Sequence, residues 1–243
     1  MMWREVLIAS CAVCLLGTAR AAVVSSVETD KAPPGAVPGD PYTPTFPSGG
    51  PSSTDVLESK LPSDSAGNFQ IEDSAGLVAL TNGSVATFYG TQAADSNHSA
   101  YATAGNGGGS GQYVVYALGG PHNVSSIVVY GGWNDAGRDA QHYDLLTSTD
   151  GVLFNPLGPP IDINPGIQGT DTTPVSNRVA FSENALPNLA TGVTHVRLNF
   201  LGVENGYTGY TEIDVFGTLV PEPAAAVLLG AGLLGLAALR RRA

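Results

Sequence analysis

The chain has 243 residues, and 21 acidic against ten basic side chains give it a formal net charge of −11. Between residues 22 and 221 the balance is 19 acidic to five basic, which leaves no cationic surface to displace counterions and excludes nucleic acid as a partner. The two cysteines, Cys11 and Cys14, lie close to the start, so residues beyond them can form neither a disulfide nor a thiolate metal site.

In chain order, Arg4 precedes an apolar run from Val6 to Gly17, which ends in Thr18-Ala19-Arg20-Ala21. About 12 apolar residues are too few to cross a bilayer. The Ala19-x-Ala21 spacing is the pattern read by a signal peptidase, so residues 1–21 are expected to be a signal peptide and the mature chain to begin near Ala22. Residues 22–53 are expected to be a linker, being dominated from Lys31 onward by Pro, Gly, Ser and Thr. Asp55 to Leu61 reads as one short helix.

Beyond it the pattern is β throughout. Tyr113–Leu118 and Val124–Tyr130 are rich in Val, Ile and Tyr. Tyr143–Thr149 leads into Asp150-Gly151, a hairpin turn signal, and then Val152–Leu157. Val193–Phe200 alternates, with Val196, Leu198 and Phe200 on one face and His195, Arg197 and Asn199 on the other. A last strand, Glu212–Leu219, points Ile213 and Val215 inward. Short strands, Gly-rich loops and no helical period predict an all-β, antiparallel jelly-roll sandwich over residues 54–219.

Residues 220–243 form a distinct end. Val220-Pro221-Glu222-Pro223 is followed by the uncharged run Ala224–Leu239 and by Arg240-Arg241-Arg242. As a helix that run spans roughly 24 Å, a short membrane segment whose flanking arginines stay cytoplasmic and leave the rest of the chain outside. This order of motif, apolar helix and basic cluster resembles the PEP-CTERM sorting signal of Gram-negative bacteria. The resemblance implies processing by an exosortase-type enzyme, a membrane contact through the C-terminal helix, and delivery to the cell envelope, cell surface or extracellular matrix.

Leu80-Thr81-Asn82-Gly83, Ser148-Thr149-Asp150-Gly151-Val152-Leu153-Phe154 and Tyr210-Thr211-Glu212-Ile213-Asp214-Val215-Phe216-Gly217, in that order and spacing, resemble a discoidin, or coagulation-factor type C, domain of the galactose-binding-like class. The terminal cysteine pair common in that family is missing, and Asn82 stands where an Asp is usual. The resemblance implies binding rather than catalysis, with carbohydrate, or in some members lipid head groups, held in loops at one end of the sandwich. It also implies a structural Ca²⁺ held by the side chains of Asn82 and Glu212, with carbonyls near Leu80, Thr87 and Thr211. Read from the residues alone, Asn82 supports a turn before Gly83, and Glu212 faces solvent on a period-two strand.

The densest polar loop, Gly131–Tyr143, contains Trp133, Asn134, Arg138 and His142. An aromatic face for sugar C–H groups, beside planar polar groups for hydroxyls, is what a glycan site needs. The competing reading packs Trp133 under the loop and pairs Arg138 with an Asp. Tyr101, in a Gly-rich loop with His98, and Tyr207, in Asn205–Tyr210, are further rim candidates. The sequence has no Gly-x-Ser-x-Gly elbow, no His-Glu-x-x-His and no cysteine nucleophile, so no catalytic residue is assigned. The expected function is an exported, non-catalytic module for extracellular carbohydrate or exopolysaccharide. The alternative is a structural matrix protein acting through protein–protein contacts.

Overall fold

The computed structural model describes residues 23–33, 42–71, 74–86, 102–104, 112–133, 137–164, 173–183, 186–202, 204 and 206–221. Among them run ten strands: β1 (Val23–Lys31), β2 (Asp64–Ala66), β3 (Ala102–Ala104), β4 (Gln112–Trp133), β5 (Gln141–Ser148), β6 (Asn155–Pro156), β7 (Ile161–Ile163), β8 (Val175–Glu183), β9 (Ala190–Phe200) and β10 (Thr208–Leu219). A 3-10 helix, Gly76–Thr81, lies between β2 and β3. The described strand pairs are antiparallel. The all-β antiparallel class expected from the sequence is the observed one.

Strand β4 sets the architecture. Its first half pairs with β2 and β9, and its second half with β8 and β10. Between the halves Gly119 and Gly120 take φ of 85° and 146°, a backbone region that side-chain-bearing residues avoid, and the strand folds over there. One layer is therefore β2-β4-β9-β5, with β6 and β7 on β5, and the other is β1-β8-β4-β10-β3.

The core lies between the layers. Val114 and Tyr116 from the first half of β4 share one buried cluster with Ile127 and Val129 from the second. Val196, Leu198, Phe200, Ile213 and Val215 are all buried in it, on the faces that alternation assigned to them. Rings stack across the gap: Tyr210 of β10 lies 4.8 Å from Phe200 and 6.1 Å from Tyr143.

The stretch expected to be a linker belongs, in its described residues, to the domain. Val23–Lys31 pairs along its whole length with β8. Residues 42–53 cover the outer face of the second layer, where Phe46 packs 5.6 Å from Tyr130. Burying a Phe side chain is worth about 1.5–3 kcal/mol. Side chains fasten the rest: Asp30 accepts from the Thr45 amide (2.6 Å), Glu28 from Ser48 (3.1 Å) and Asp214 from Ser52 (3.0 Å). Residues 56–59 form a turn in place of the helix expected over Asp55 to Leu61. Asp55 Oδ1 takes the amides of Leu57 and Val215, and the Val56 amide donates to the Val215 carbonyl, so the turn is also tied across to β10.

After the Asp150-Gly151 turn only Asn155–Pro156 pairs as strand, not the whole of Val152–Leu157. Asp150 Oδ1 captures the amides of Val152 (2.8 Å) and Leu153 (2.9 Å), which widens the loop and leaves both apolar side chains in solvent. The expected signal peptide, the apolar run 224–239 and the triple arginine fall outside the described residues. Among the described residues no helix is long and apolar enough to cross a membrane.

Candidate functional site

The chain leaves β4 at Trp133 and returns in β5 at Gln141, and the connection between β9 and β10 closes over the same end of the sandwich. Glu204 joins the two, its Oε2 accepting the amides of Asp139 (3.0 Å) and Ala140 (3.2 Å). The Gly209 amide donates to the Arg138 carbonyl (3.0 Å), the Leu201 amide to the His142 carbonyl (3.0 Å), and the His142 amide to the Tyr210 hydroxyl (3.0 Å). The Asn177 amide group also donates to the Asp139 carbonyl from β8.

Trp133 is only 1% exposed. A Cβ at Gly209 would fall on its ring, so this position admits only glycine against that face. The guanidinium of Arg138 sits over the indole at 5.1 Å and over the Tyr207 ring at 4.9 Å. The expectation that Trp133 stacks on a sugar is thereby corrected: the indole is the buried floor beneath Arg138. Tyr207, half-buried, forms the other side. His142 is held by Asp162 across the β5–β7 pair, with Nδ1 at 3.0 Å from Oδ1. Three sequence-predicted residues, Arg138, His142 and Tyr207, thus share this end with their support, Trp133. Asn134 and Tyr101 lie outside the described residues. Glu204 and Asp162 were not anticipated, because an acid that serves a backbone amide or a histidine one strand away leaves no local signature.

A second centre lies under residues 52–58. Glu212, expected on one reading to face solvent, is 0% exposed, because residues 52–58 and the 83–84 turn lie over β10. Its Oε2 accepts the amides of Gly83 (2.6 Å) and Ser84 (3.3 Å). Burial, and then the neighbouring Asp214, push its carboxyl up to about 9. Burial likewise lifts Asp214 to about 7 and raises Asp55. Asn82 ends the 3-10 helix and its Oδ1 accepts the Ser84 amide (2.9 Å), with Gly83 in the left-handed region at φ 71°. Asn82 and Glu212 therefore meet at one turn.

Among the described residues Asp214 Oδ1, Asp55 Oδ2, Glu58 Oε2 and Thr211 Oγ1 are buried without a hydrogen-bond partner. That surplus of unsatisfied hard oxygen suits a cation of the Ca²⁺ type. No three or more His, Cys, Asp or Glu side chains among the described residues converge on one point. An ion here would rest on Glu212 and Asn82 with carbonyls of Leu80 and Thr211. Thr87 is outside the described residues. A cleft of about 270 Å³ between residues 67–70 and the 3-10 helix, with Phe69 and Leu77 in its lining, contains none of the residues expected from the sequence.

No family model matches the chain. No curated protein matches it. Among solved structures, the CBM32 of AlyQ in complex with 4,5-unsaturated mannuronic acid aligns at 15% identity and a TM-score of 0.31, over 48% of this chain and 76% of that one. CpGH89CBM32-6 produced by Clostridium perfringens aligns at 15% identity and TM-score 0.28, over 44% and 69%. A family 89 glycoside hydrolase from Clostridium perfringens, in complex with 2-acetamido-1,2-dideoxynojirmycin, aligns at 15% and 0.28, over 51% of this chain and 15% of that one. Overlap at this level leaves the functional reading to the residues themselves.

Proposed function

We propose that the chain is a non-catalytic carbohydrate-binding module whose loop end, around Arg138, recognises sugar. The observation that carries this is the guanidinium held between the Trp133 and Tyr207 rings. A guanidinium offers five N–H donors in a fixed plane, and two rings fix that plane here. Vicinal hydroxyls of a pyranose accept from such a fork. The half-buried Tyr207 ring meets the apolar C–H face of the sugar, and His142, oriented by Asp162, adds a third polar contact. Glycan-array binding by the full chain tests the reading. Arg138→Gln and Tyr207→Ala should each abolish the array signal while the protein stays folded, with the melting temperature lowered only modestly, in keeping with the loss of a cation–ring contact. Full binding by both variants would remove the loop end as the site.

The same reading places the protein outside the cell. Its support is sequence alone: the A-x-A site after the apolar start, and Val220 to Arg242 with its Pro221-Glu222-Pro223 motif. Exosortase processing removes Arg240, Arg241 and Arg242, and intact-mass measurement of surface-extracted protein checks this. A mature species retaining all three would refute it.

A structural Ca²⁺ at the Asn82–Glu212 turn belongs to the same proposal, supported by the buried unsatisfied oxygens around it. It ties the 82–84 turn to β10 without touching glycan. At a hundredfold excess over Kd a native-state ligand adds about 2.7 kcal/mol. Millimolar calcium should raise the melting temperature, and Glu212→Ala should abolish the rise. Superimposable curves in calcium and in chelator would rule the ion out.

A further inference from the structure

The polar face of β9, His195-x-Arg197-x-Asn199, points away from the core, and nothing at the loop end uses it. Strands β4 and β5 flank it, placing Tyr113 and Asp144 opposite Asn199, and Leu146 opposite Arg197. The Arg197 guanidinium lies 4.1 Å from the Tyr113 ring and 5.6 Å from Phe154. Its Nε donates to Asn199 Oδ1 at 2.6 Å. The Tyr113 hydroxyl donates to Asp64 at 3.0 Å, which fixes that ring, and Phe154 rests edge-on against His195 at 6.5 Å. Tyr113 and Asn199, on the adjacent strands β4 and β9, are thus held in place, and Phe154 closes on the guanidinium from the loop before β6.

What the guanidinium lacks is an acid. Arg178, the other arginine on a described layer face, pairs with Glu28 at 3.0 Å. Among the described residues the two terminal nitrogens of Arg197 have no hydrogen-bond or carboxylate partner. The rings and Asn199 hold the plane of the fork and leave its outer edge to solvent. A planar, pre-organised pair of N–H donors matches the two oxygens of a carboxylate or sulfate bidentately. Asp144, opposite Asn199 on β5, gives an acceptor for a hydroxyl, and the exposed side chains of Val152 and Leu153 precede Phe154 in the chain.

We propose that this outer face, centred on Arg197, is a second binding surface that takes the acidic group of an anionic polysaccharide, a uronate carboxylate or a sulfate ester. It deepens the carbohydrate-binding reading and rests on it for the class of polymer, while using none of the loop-end residues.

Calorimetric titration of the full chain with a short oligogalacturonate, and with the same oligomer reduced to its neutral alcohol, tests it. The wild type should prefer the acidic oligomer by about tenfold at low salt, and the preference should shrink as salt rises. Arg197→Gln should erase the preference, and Asn199→Ala, which frees the fork to rotate, should reduce it. Arg138→Gln should weaken both oligomers and leave their ratio unchanged. Equal affinity for the two oligomers, or a preference that survives Arg197→Gln, overturns the inference. In that event, loss of neutral binding in Arg138→Gln alone leaves the loop-end reading standing. Acidic binding that is lost in Arg197→Gln and untouched in Arg138→Gln sustains the outer face and removes the loop end.

Discussion

Two arginines in this protein lie between two aromatic rings, and the surroundings give them different work. Arg138 covers Trp133, which is buried, closed off on its far side by Gly209 and framed by loops that Glu204 sews together. Arg197 lies between Tyr113 and Phe154 on an open sheet face, with a single hydrogen bond to Asn199. A cation over a ring contributes about 0.5–1 kcal/mol when exposed and about 2 when desolvated. The contact that helps hold a loop end in one place is, in the other, mainly a way to aim a fork. Burial of the ring decides which.

The largest effect that separates the two is Trp133→Ala. Removing a fully buried large aromatic should cost about 3–5 kcal/mol and lower the melting temperature sharply. A mutant that melts like the wild type would show that the floor of the loop end is not structural. Next, Glu204→Ala strips the acceptor from two amides. It should cost about 1–3 kcal/mol in denaturant titration and weaken glycan binding as well, because the loop carrying Arg138 is released. If stability falls and binding does not, Arg138 is positioned by its rings alone.

A smaller effect comes from pH, measured in chelator. The folded-state values of Glu212 and Asp214 lie above those of ordinary carboxyls, so the folded protein keeps protons that the unfolded chain has shed. Their contribution is intact below about pH 4 and is lost as pH rises through about 7 for Asp214 and then about 9 for Glu212. The melting temperature should therefore fall between pH 5 and pH 8, by the same amount in the wild type and in Arg197→Gln. Diverging curves would mean that the two regions are coupled. The smallest change is Phe154→Ala, expected to stay within about 1 kcal/mol of the wild type because the ring is only half-buried and lies outside the core clusters. A cost equal to that of Trp133→Ala would erase the distinction between the sites.

The legible strands were those whose alternation is clean. Val196, Leu198 and Phe200 announce β9, and Ile213 and Val215 announce β10. Strand β8 went unread because buried polar residues break its pattern: Ser176 and Asn177 are fully buried, and Asn177 serves the Asp139 carbonyl. Strand β1 reads as polar because it is an edge, paired only with β8 in the described structure. Composition made residues 42–53 look like a linker, yet they are held by Phe46 and by carboxylates 15 to 162 positions away, which no local window contains. At the loop end, Arg138, His142 and Tyr207 were visible as residue types, and the structure decides between the two readings of Trp133 for the one that packs it under the loop. Residue types alone left that choice open, because the packing partner, Gly209, is far downstream in the chain.

Strand β4 has a consequence for how the molecule comes apart. Since one continuous segment is an inner strand of both layers, neither layer can peel away without dragging the other's ladder with it. Amides of Val114–Tyr116 and of Ile127–Val129, on opposite sides of the core, should exchange with deuterium through the same global opening. Such a chain is slow to assemble, because β4 must find β8, β9 and β10, all later in sequence, before either layer closes. Once assembled, it opens as one cooperative unit.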